Sequence, residues 1–261
     1  MGVVNVTPDS FSDGGDNLDP AAAVATARRL RAEGAALIDI GGESTRPGAN
    51  AVSTGEELRR VLPVLEQLCD LPLSIDTAKA EVARQALGAG ALLVNDVTAL
   101  RGDPDLARVI ADADAYVCLM HMQGEPRTMQ VAPRYDDVVE EVACFLEERL
   151  AAAVAAGIPE DHVCLDPGIG FGKTPDQNLE LIRGLERLCR IGRPVLVGLS
   201  RKSTLARALG DPAAKVGTDA ASVGAAVAAF DRGAAIFRAH DVGAHVEALT
   251  AAAAVERGRV A

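Results

Sequence analysis

The sequence lacks the features that mark several common protein classes. It contains no run of Lys or Arg, and its formal net charge is −11. This balance argues against nucleic acid or an anionic membrane as the main partner. No apolar stretch is long enough to span a membrane, and the chain opens on a strand-like run without a charged region and cleavage site. We therefore expect a cytoplasmic protein that catches any anionic substrate with a local basic site.

Cysteine and histidine are scarce and lack the spacing of disulfide or metal motifs. The five cysteines include no C-x-x-C pair, and an odd count without pairing spacing suits a reduced cytosolic chain. The four histidines show neither H-x-x-x-H nor H-E-x-x-H spacing, which argues against zinc. Magnesium held partly by substrate phosphates remains compatible with the sequence.

The stretch DPGIGFGKT (166–174) looks like a phosphate-binding loop but lacks one of its glycines. The P-loop needs Gly, four residues and then Gly-Lys-Ser/Thr, which places its first glycine where this sequence has Pro167. Proline has no backbone N–H to offer a phosphate. The three glycines recur at every second residue, so they do not form G-x-G-x-x-G either. Lys173 is therefore not expected to contact substrate phosphate.

Strand-like and helical segments alternate along the whole chain, and no linker rich in Pro, Gly or Ser divides it. The strand candidates are MGVVNV (1–6), ALIDIG (36–41), LPLSID (71–76), ALLVND (91–96), AYVCLM (115–120), HVCLDP (162–167), PVLVGLS (194–200) and AIFRAH (235–240). Segments with helical spacing, such as NLELIRGLERL (178–188), lie between them. Apolar runs of this kind suit parallel strands covered on both faces. Eight such units in about 250 residues predict a TIM (β/α)8 barrel.

We expect this α/β barrel to form a single domain spanning residues 1–261. A doubly wound open sheet is the alternative, but eight evenly distributed units favour closure.

Polar residues stand at or just after the carboxyl ends of these strand candidates. They are Asn5, Thr7 and Asp9, GGESTRPG (41–48), Ser74, Asp76 and Thr77, Asn95 and Asp96, His121, Asp166, SRKS (200–203), and Arg238, His240 and Asp241. The carboxyl ends of barrel strands converge on one face, where the active sites of this fold lie. A lone buried Asp or His can be a satisfied core group, but its repetition at one strand end after another predicts an active site.

The basic members of this set suit an anion. Arg238 and His240 lie two residues apart on the same side of strand eight. A guanidinium fork beside an imidazole suits phosphate or pyrophosphate. Lys202 in SRKS adds a cation and free N–H groups at a helix start. The alternative is that Arg238 or Lys202 forms an ion pair with a neighbouring aspartate.

The acceptors at three other strand ends suit a different ligand. Asp76, Asn95 and Asp166 offer carboxylates and one amide, a combination that fits a flat nitrogen heterocycle with an amino group beside a ring N–H. Two segments rich in Gly, Pro, Asp and Ser, at 7–20 and 43–55, follow strands on the same face. We expect them to be mobile lids, with plain solvated loops as the alternative.

The chain resembles the dihydropteroate synthases of bacterial folate synthesis, through eight motifs in order from Met1 to about residue 242. The motifs are NVTPDSFSDGG, GGESTRPGA, SIDT, VNDV, MHMQGEPRTMQ, DPGIGFGKT, GLSRKS and RAHDV. The resemblance implies a TIM-barrel transferase that joins 6-hydroxymethyl-7,8-dihydropterin pyrophosphate to para-aminobenzoate with Mg²⁺, releasing 7,8-dihydropteroate and pyrophosphate. It also implies a homodimer and inhibition by sulfonamides, which mimic para-aminobenzoate.

The resemblance further implies roles for individual residues. Those implied to bind the pterin ring are Asp76, Asn95, Asp166 and Lys202. Those implied for pyrophosphate and Mg²⁺ are Arg238, His240 and the metal ligand Asn5. The other substrate-binding positions are Met122, Phe171, Ser203, Thr45, Arg46, Pro47, Phe11 and Asp13. Catalysis is assigned to Lys202, Arg238, His240 and Asp76, along an SN1-like path.

Two other functions remain open from the sequence. One is a pterin-binding paralogue without turnover, which the intact motifs argue against. The other is a corrinoid methyltransferase with a pterin barrel, which should lack SRKS, the Arg238 and His240 pair and the Asn5 loop. The Ala-rich segment 219–230 could pack against a partner subunit or on the barrel itself.

Overall fold

The computed structural model describes residues 1–7, 19–44, 51–124, 128–211, 213–214 and 216–258. Every strand in it lies inside a run predicted from the sequence. The strands are β1 (Gly2–Asn5), β2 (Ile38–Gly41), β3 (Leu73–Asp76), β4 (Leu93–Asp96), β5 (Tyr116–Met120), β6 (Val163–Asp166), β7 (Leu196–Val197) and β8 (Ile236–Phe237). The α-helices are α1 (Pro20–Ala32), α2 (Thr54–Gln67), α3 (Ala80–Gly88), α4 (Leu106–Asp112), α5 (Val138–Ala155), α6 (Pro175–Arg183), α7 (Leu185–Cys189), α8 (Ser203–Ala208), α9 (Asp219–Phe230) and α10 (Val242–Arg257).

The strands close into a parallel TIM barrel, as predicted. Strands β1 to β6 form one sheet in sequence order, and β7 pairs with β8. Two seams complete the ring. Between β6 and β7, Leu165 N donates to Pro194 O at 2.9 Å. Between β8 and β1, Ala239 N donates to Met1 O at 2.9 Å. The open-sheet alternative is therefore wrong.

Two apolar layers explain why these runs become strands. One layer fills the space between strands and helices and includes Ile40, Ile75 and Leu146. The other fills the barrel interior and consists of Leu93, Cys118, Cys164 and Leu196, with Met1, Leu37 and Ile236 packed against them. Since both faces of the strands are covered, apolar residues recur without alternation. None of the five cysteines forms a disulfide.

Helix α6 begins sharply at the end of the DPGIGFGKT stretch. Thr174 Oγ1 accepts from Gln177 N at 3.2 Å, and Gln177 Oε1 accepts from Thr174 N at 2.8 Å. This reciprocal cap satisfies two N–H groups that a helix start leaves unpaired. The predicted helix 178–188 is interrupted at Gly184, where α6 gives way to α7. A Cβ at Gly184 would lie 2.7 Å from Val139 Cγ2, so α5 packs there against bare backbone.

The predicted helix 219–230 is present as α9, and it buries Ser222, Ala226 and Ala229. No helix in the described part of the chain combines the length and apolar content needed to cross a membrane.

Candidate active site

A row of residues at the carboxyl ends of β1 to β4 forms one side of the barrel rim. Parallel pairing places Asn5 beside Gly41, Gly41 beside Asp76, and Asp76 beside Asn95. Residues paired laterally point to the same face of a sheet. A Cβ at Gly41 would lie 3.4 Å from Asp76 Cβ and 3.5 Å from Asn5 Oδ1. The missing side chain therefore leaves room between these two predicted ligand-binding groups.

The fully buried carboxylate of Asp39 ties this rim to strand β8. Its Oδ1 accepts from Ser74 Oγ at 2.5 Å. Its Oδ2 accepts from Asn95 Nδ2 at 3.1 Å and from Arg238 Nε at 2.7 Å. Arg238 Nη2 donates to Asp76 Oδ2 at 2.9 Å. One guanidinium thus lies between two carboxylates, and the ion-pair alternative for Arg238 is realised in this structure.

Burial and the sharing of one guanidinium by two carboxylates shift the pKa values of Asp76 and Arg238. Burial raises the pKa of Asp76 to about 7, against the opposing pull of Arg238 and with help from the negative charge of Asp39. Burial works against the charge of Arg238, but the two carboxylates outweigh it and raise the pKa of the guanidinium. The cluster therefore combines a permanent cation with a carboxyl group that titrates near neutral pH.

Asp166 ends strand β6 and is 7% exposed. Its Oδ1 accepts from Gly168 N at 2.7 Å, which fixes the carboxylate against the start of the following loop. Burial raises the pKa of Asp166, while the Gly168 N–H and the charge of Lys202 oppose that rise.

Lys202 and Phe171 face each other across the loops after β7 and β6. Lys202 is the N-cap of α8, and Ser203 is the first residue of that helix. The Nζ atom of Lys202 lies 4.5 Å from the centroid of the Phe171 ring. Phe171 also packs on a buried cluster that includes Met122 and Met129. The structure thus brings Lys202, Phe171 and Met122 to the same side of the rim.

Ser200 holds the ring of His240. The backbone N of His240 donates to Ser200 Oγ at 3.2 Å, and His240 Nδ1 lies 3.0 Å from the same oxygen. Because both contacts meet at one hydroxyl, they fix the ring plane next to the strand end that carries Arg238.

The donor set fits Mg²⁺ better than a tightly caged metal. No group of three or more His, Cys, Asp or Glu side chains is arranged to hold a metal within the described ranges. The Asn5 carboxamide oxygen is a hard donor, and it borders the space that a Cβ at Gly41 would fill. Mg²⁺ typically takes one or two protein oxygens and completes its shell with substrate phosphates and water.

Five predicted site residues lie outside the described residues, namely Phe11, Asp13, Thr45, Arg46 and Pro47. Residues 8–18 of the first predicted lid loop and residues 45–50 of the second lie outside them as well.

Sequence reasoning missed two residues that the structure places in or beside the site. Asp39 was read only as part of the apolar run ALIDIG, although a charged residue two positions before Gly41 shares its inward direction. Lys173 was considered only as a possible phosphate ligand, was rejected in that role, and was given no other. It is 2% exposed, and its Nζ lies 2.9 Å from His121 Nδ1.

Comparisons with known proteins agree with this geometry. Residues 1–240 match the family model described as pterin binding enzyme. The dihydropteroate synthase of Neisseria meningitidis serogroup C is 47% identical over 261 residues, covering 96% of this chain and 90% of the relative. That of Escherichia coli K12 is 45% identical over 253 residues, covering 95% and 88%.

Solved structures give the same result. The dihydropteroate synthase of Xanthomonas albilineans with 4-aminobenzoic acid has a TM-score of 0.90 and 53% identity, covering 98% of this chain and 92% of that one. The Yersinia pestis dihydropteroate synthase with a sulfonamide drug has a TM-score of 0.91 and 44% identity, covering 99% and 94%.

Proposed function

The chain belongs to the dihydropteroate synthase family of pterin-binding enzymes, and we propose that its barrel rim carries a dissociative, magnesium-assisted substitution. The protein is a transferase that joins 6-hydroxymethyl-7,8-dihydropterin pyrophosphate to para-aminobenzoate and releases 7,8-dihydropteroate and pyrophosphate. One observation carries the proposed chemistry: the Arg238 guanidinium lies between Asp39 and Asp76 at the rim, beside Asn95.

The proposed pterin site uses the acceptors of the rim. Asp166 receives the amino group and the adjacent ring N–H through two parallel hydrogen bonds, and Asp76 and Asn95 bind other ring nitrogens. Lys202 donates to the ring carbonyl side. The support for this arrangement is that Asp76 and Asn95 end neighbouring strands, that Asp166 ends β6 on the same rim, and that these three are buried and Lys202 half-buried.

The proposed pyrophosphate site uses Arg238 and His240. The guanidinium has five N–H donors, and Asp39 and Asp76 engage one each in the substrate-free structure. Its remaining donors can therefore serve the leaving group. Mg²⁺ bound at Asn5 would neutralise the charge that accumulates on the departing pyrophosphate.

The reaction exchanges a carbon–oxygen bond for a carbon–nitrogen bond. The bond between the pterin methylene and pyrophosphate breaks first, and its electron pair leaves with the pyrophosphate oxygen. Positive charge grows on the methylene and spreads into the ring, on the side where Asp76 and Asp166 lie. The neutral aniline nitrogen of para-aminobenzoate then forms the new bond, and the strongly acidic anilinium that results gives one proton to solvent water, so no strong base is required. Phe171 and Met122 wall the para-aminobenzoate side and keep water from the cation.

Turnover is tested with both substrates, with Mg²⁺ and with a chelator. We expect pyrophosphate release with Mg²⁺ and its near-complete loss with the chelator. Lys202→Ala should lose most activity while its circular dichroism spectrum matches the wild type. Absence of turnover in both conditions would refute the transferase reaction and favour the alternative of a pterin-binding protein without turnover.

The dissociative path is tested by positional isotope exchange. The pyrophosphate ester is labelled with ¹⁸O at its bridging oxygen and incubated without para-aminobenzoate. Scrambling of the label into non-bridging positions is expected, because the cation and pyrophosphate can recombine. Clean inversion at a chirally labelled methylene in the product would contradict the path.

We also propose that the chain works as a single-domain homodimer in the cytoplasm. The support is the family membership, the disulfide-free cysteines and the lack of a spanning helix among the described residues. Light scattering coupled to gel filtration checks the dimer, and a monomeric mass would refute it.

A further inference from the structure

Lys173 is a buried lysine that the proposed chemistry leaves unused. Its Nζ donates to Gly168 O and to Phe171 O, each at 3.0 Å. The third close contact is His121 Nδ1 at 2.9 Å, and His121 O lies at 3.4 Å. Burying an ammonium group is costly unless its donors are satisfied. Burial lowers the pKa of Lys173 to about 7, and in the protonated form its three donors meet three close acceptors, which integrate the group into the loop after β6.

His121 is suited to accept this bond. Burial lowers its pKa to about 2, and the charges of Lys173 and Arg101 act in the same direction. The ring is therefore neutral, and Nδ1 keeps a lone pair for the lysine. An edge-on contact with the Phe145 ring, 4.8 Å between centroids, fixes the orientation of the imidazole. The bond thus joins the end of β5 to the loop after β6.

The loop after β6 is pressed onto the chain that follows β5. A Cβ at Gly168 would lie 1.9 Å from His121 O, and one at Gly172 would lie 2.5 Å from Gln123 O. Only glycine permits this approach, and both residues have positive φ. The rigid contact places the lysine where it can reach the loop's own carbonyl groups.

Side chains satisfy the loop carbonyls from two sides. On the outer side, Gln130 Nε2 donates to Gly170 O and Tyr135 OH donates to Gly172 O, each at 2.8 Å. On the inner side, Lys173 Nζ donates to Phe171 O and to Gly168 O, and Gly168 O also accepts from the backbone N of Phe171 at 3.0 Å. The inner side is the one that fixes the backbone of Phe171.

The fixed loop supports two groups of the proposed substrate site, Asp166 at the end of β6 and Phe171 on the loop itself. Asp166 receives the N–H of Gly168 at 2.7 Å. The Phe171 ring lies under Lys202 Nζ, and the stem of Lys202 passes Gly170 so closely that a Cβ there would lie 3.3 Å from its Cδ. A shift of the loop would therefore disturb the hydrogen bond that holds the Asp166 carboxylate and move the Phe171 ring that supports Lys202.

We infer that Lys173 is a positioning residue for the transferase reaction: together with His121, it fixes the loop after β6 so that Phe171 supports Lys202 and Asp166 meets the pterin edge. This inference rests on the proposed function of that rim. Lys173 acts on substrate through these residues and does not itself contact it.

The test replaces Lys173 by Met, which keeps the length of the stem and removes the donors. In the holoenzyme with Mg²⁺, we expect KM for both substrates to rise and kcat to fall, with a combined loss in kcat/KM on the order of a hundredfold, because misplacement of about 1 Å has effects of this size. His121→Met should act in the same direction. The double variant should be little worse than Lys173→Met, because both changes break one unit.

Tyr135→Phe is the matched control, since it removes one hydrogen bond from the outer side of the same loop. Its KM and kcat should stay within about twofold of wild type, because the inner bonds that fix Phe171 are kept. If Lys173→Met lowers Tm but leaves KM and kcat at wild-type values, the lysine is only structural and the inference is wrong. If Lys173→Met does not fold, His121→Met carries the same comparison against Tyr135→Phe.

Binding of 7,8-dihydropteroate, measured by calorimetry, separates this inference from the proposed function. A wild type that binds the compound but does not turn over would refute the catalytic proposal. The inference would still be supported if Lys173→Met weakened that binding at least tenfold, and overturned if binding were unchanged.

Discussion

At the scale of single residues, the ionisation of Asp76 links the site to stability. Burial raises its pKa from 3.8 to about 7. Between these values the folded protein holds a proton that the unfolded chain has released. Stability from this group is therefore fully present at low pH and is lost as pH rises through about 7. The slope is at most about 1.4 kcal/mol per pH unit.

Replacing Asp76 with Asn isolates this contribution. We expect the free energy of unfolding of the wild type, relative to Asp76→Asn, to fall as pH rises from about 4 to about 7. Denaturant titrations at several pH values measure the difference. A constant difference across that range would show that Asp76 is ionised throughout and that Arg238 outweighs burial.

At the scale of elements, close packing as well as backbone conformation requires glycine in the loop after β6. Gly168 combines a φ of 68° with a Cβ position 1.9 Å from His121 O. Gly168→Ala should therefore add overpacking to left-handed backbone strain and cost about 2 to 5 kcal/mol. Denaturant unfolding measures this cost.

Gly192 provides the matched control. It has a φ of 88° and nothing within 4 Å of a built Cβ. Gly192→Ala should cost only the strain of the left-handed backbone, about 1 to 2 kcal/mol. Equal costs at the two positions would mean that the β5 end yields easily to a side chain at Gly168.

The elements also show how far the sequence alone can lead. Local patterns predicted all eight strands and placed Asn5, Asp76, Asn95 and Asp166 at or near strand ends, because apolar runs and strand-end polarity are short-range signals. The partners of Asp39 could not be predicted in this way, since Arg238 lies 199 positions away and only barrel closure brings them together. The role of Lys173 could not be predicted either, because one of its acceptors is His121, which follows a different strand and lies 52 positions away in the sequence.

At the scale of the whole molecule, Arg238 connects the last strand to the second and third across the mouth of the barrel. Strand β8 has only two residues, and its seam with β1 relies on a few backbone bonds such as Ala239 N to Met1 O. The ion pairs with Asp39 and Asp76 add a side-chain link that spans this seam, from the end of β8 past β1 to β2 and β3. Removing the cation would break this link and leave two carboxylates facing each other.

Arg238→Met should therefore destabilise the barrel by about 3 kcal/mol at pH 8, because a buried carboxylate pair loses its counter-charge. The cost should shrink at pH 5, where Asp76 holds a proton. Amide hydrogen exchange should accelerate most at the seam, at Val3 and Ala239.

Arg201→Met is the control, since the side chains of its pair with Asp219 are 45% and 40% exposed and the pair contributes under about 1 kcal/mol. If both variants lose the same stability at both pH values, the cluster at the rim serves substrate alone and the closure of the barrel does not depend on it.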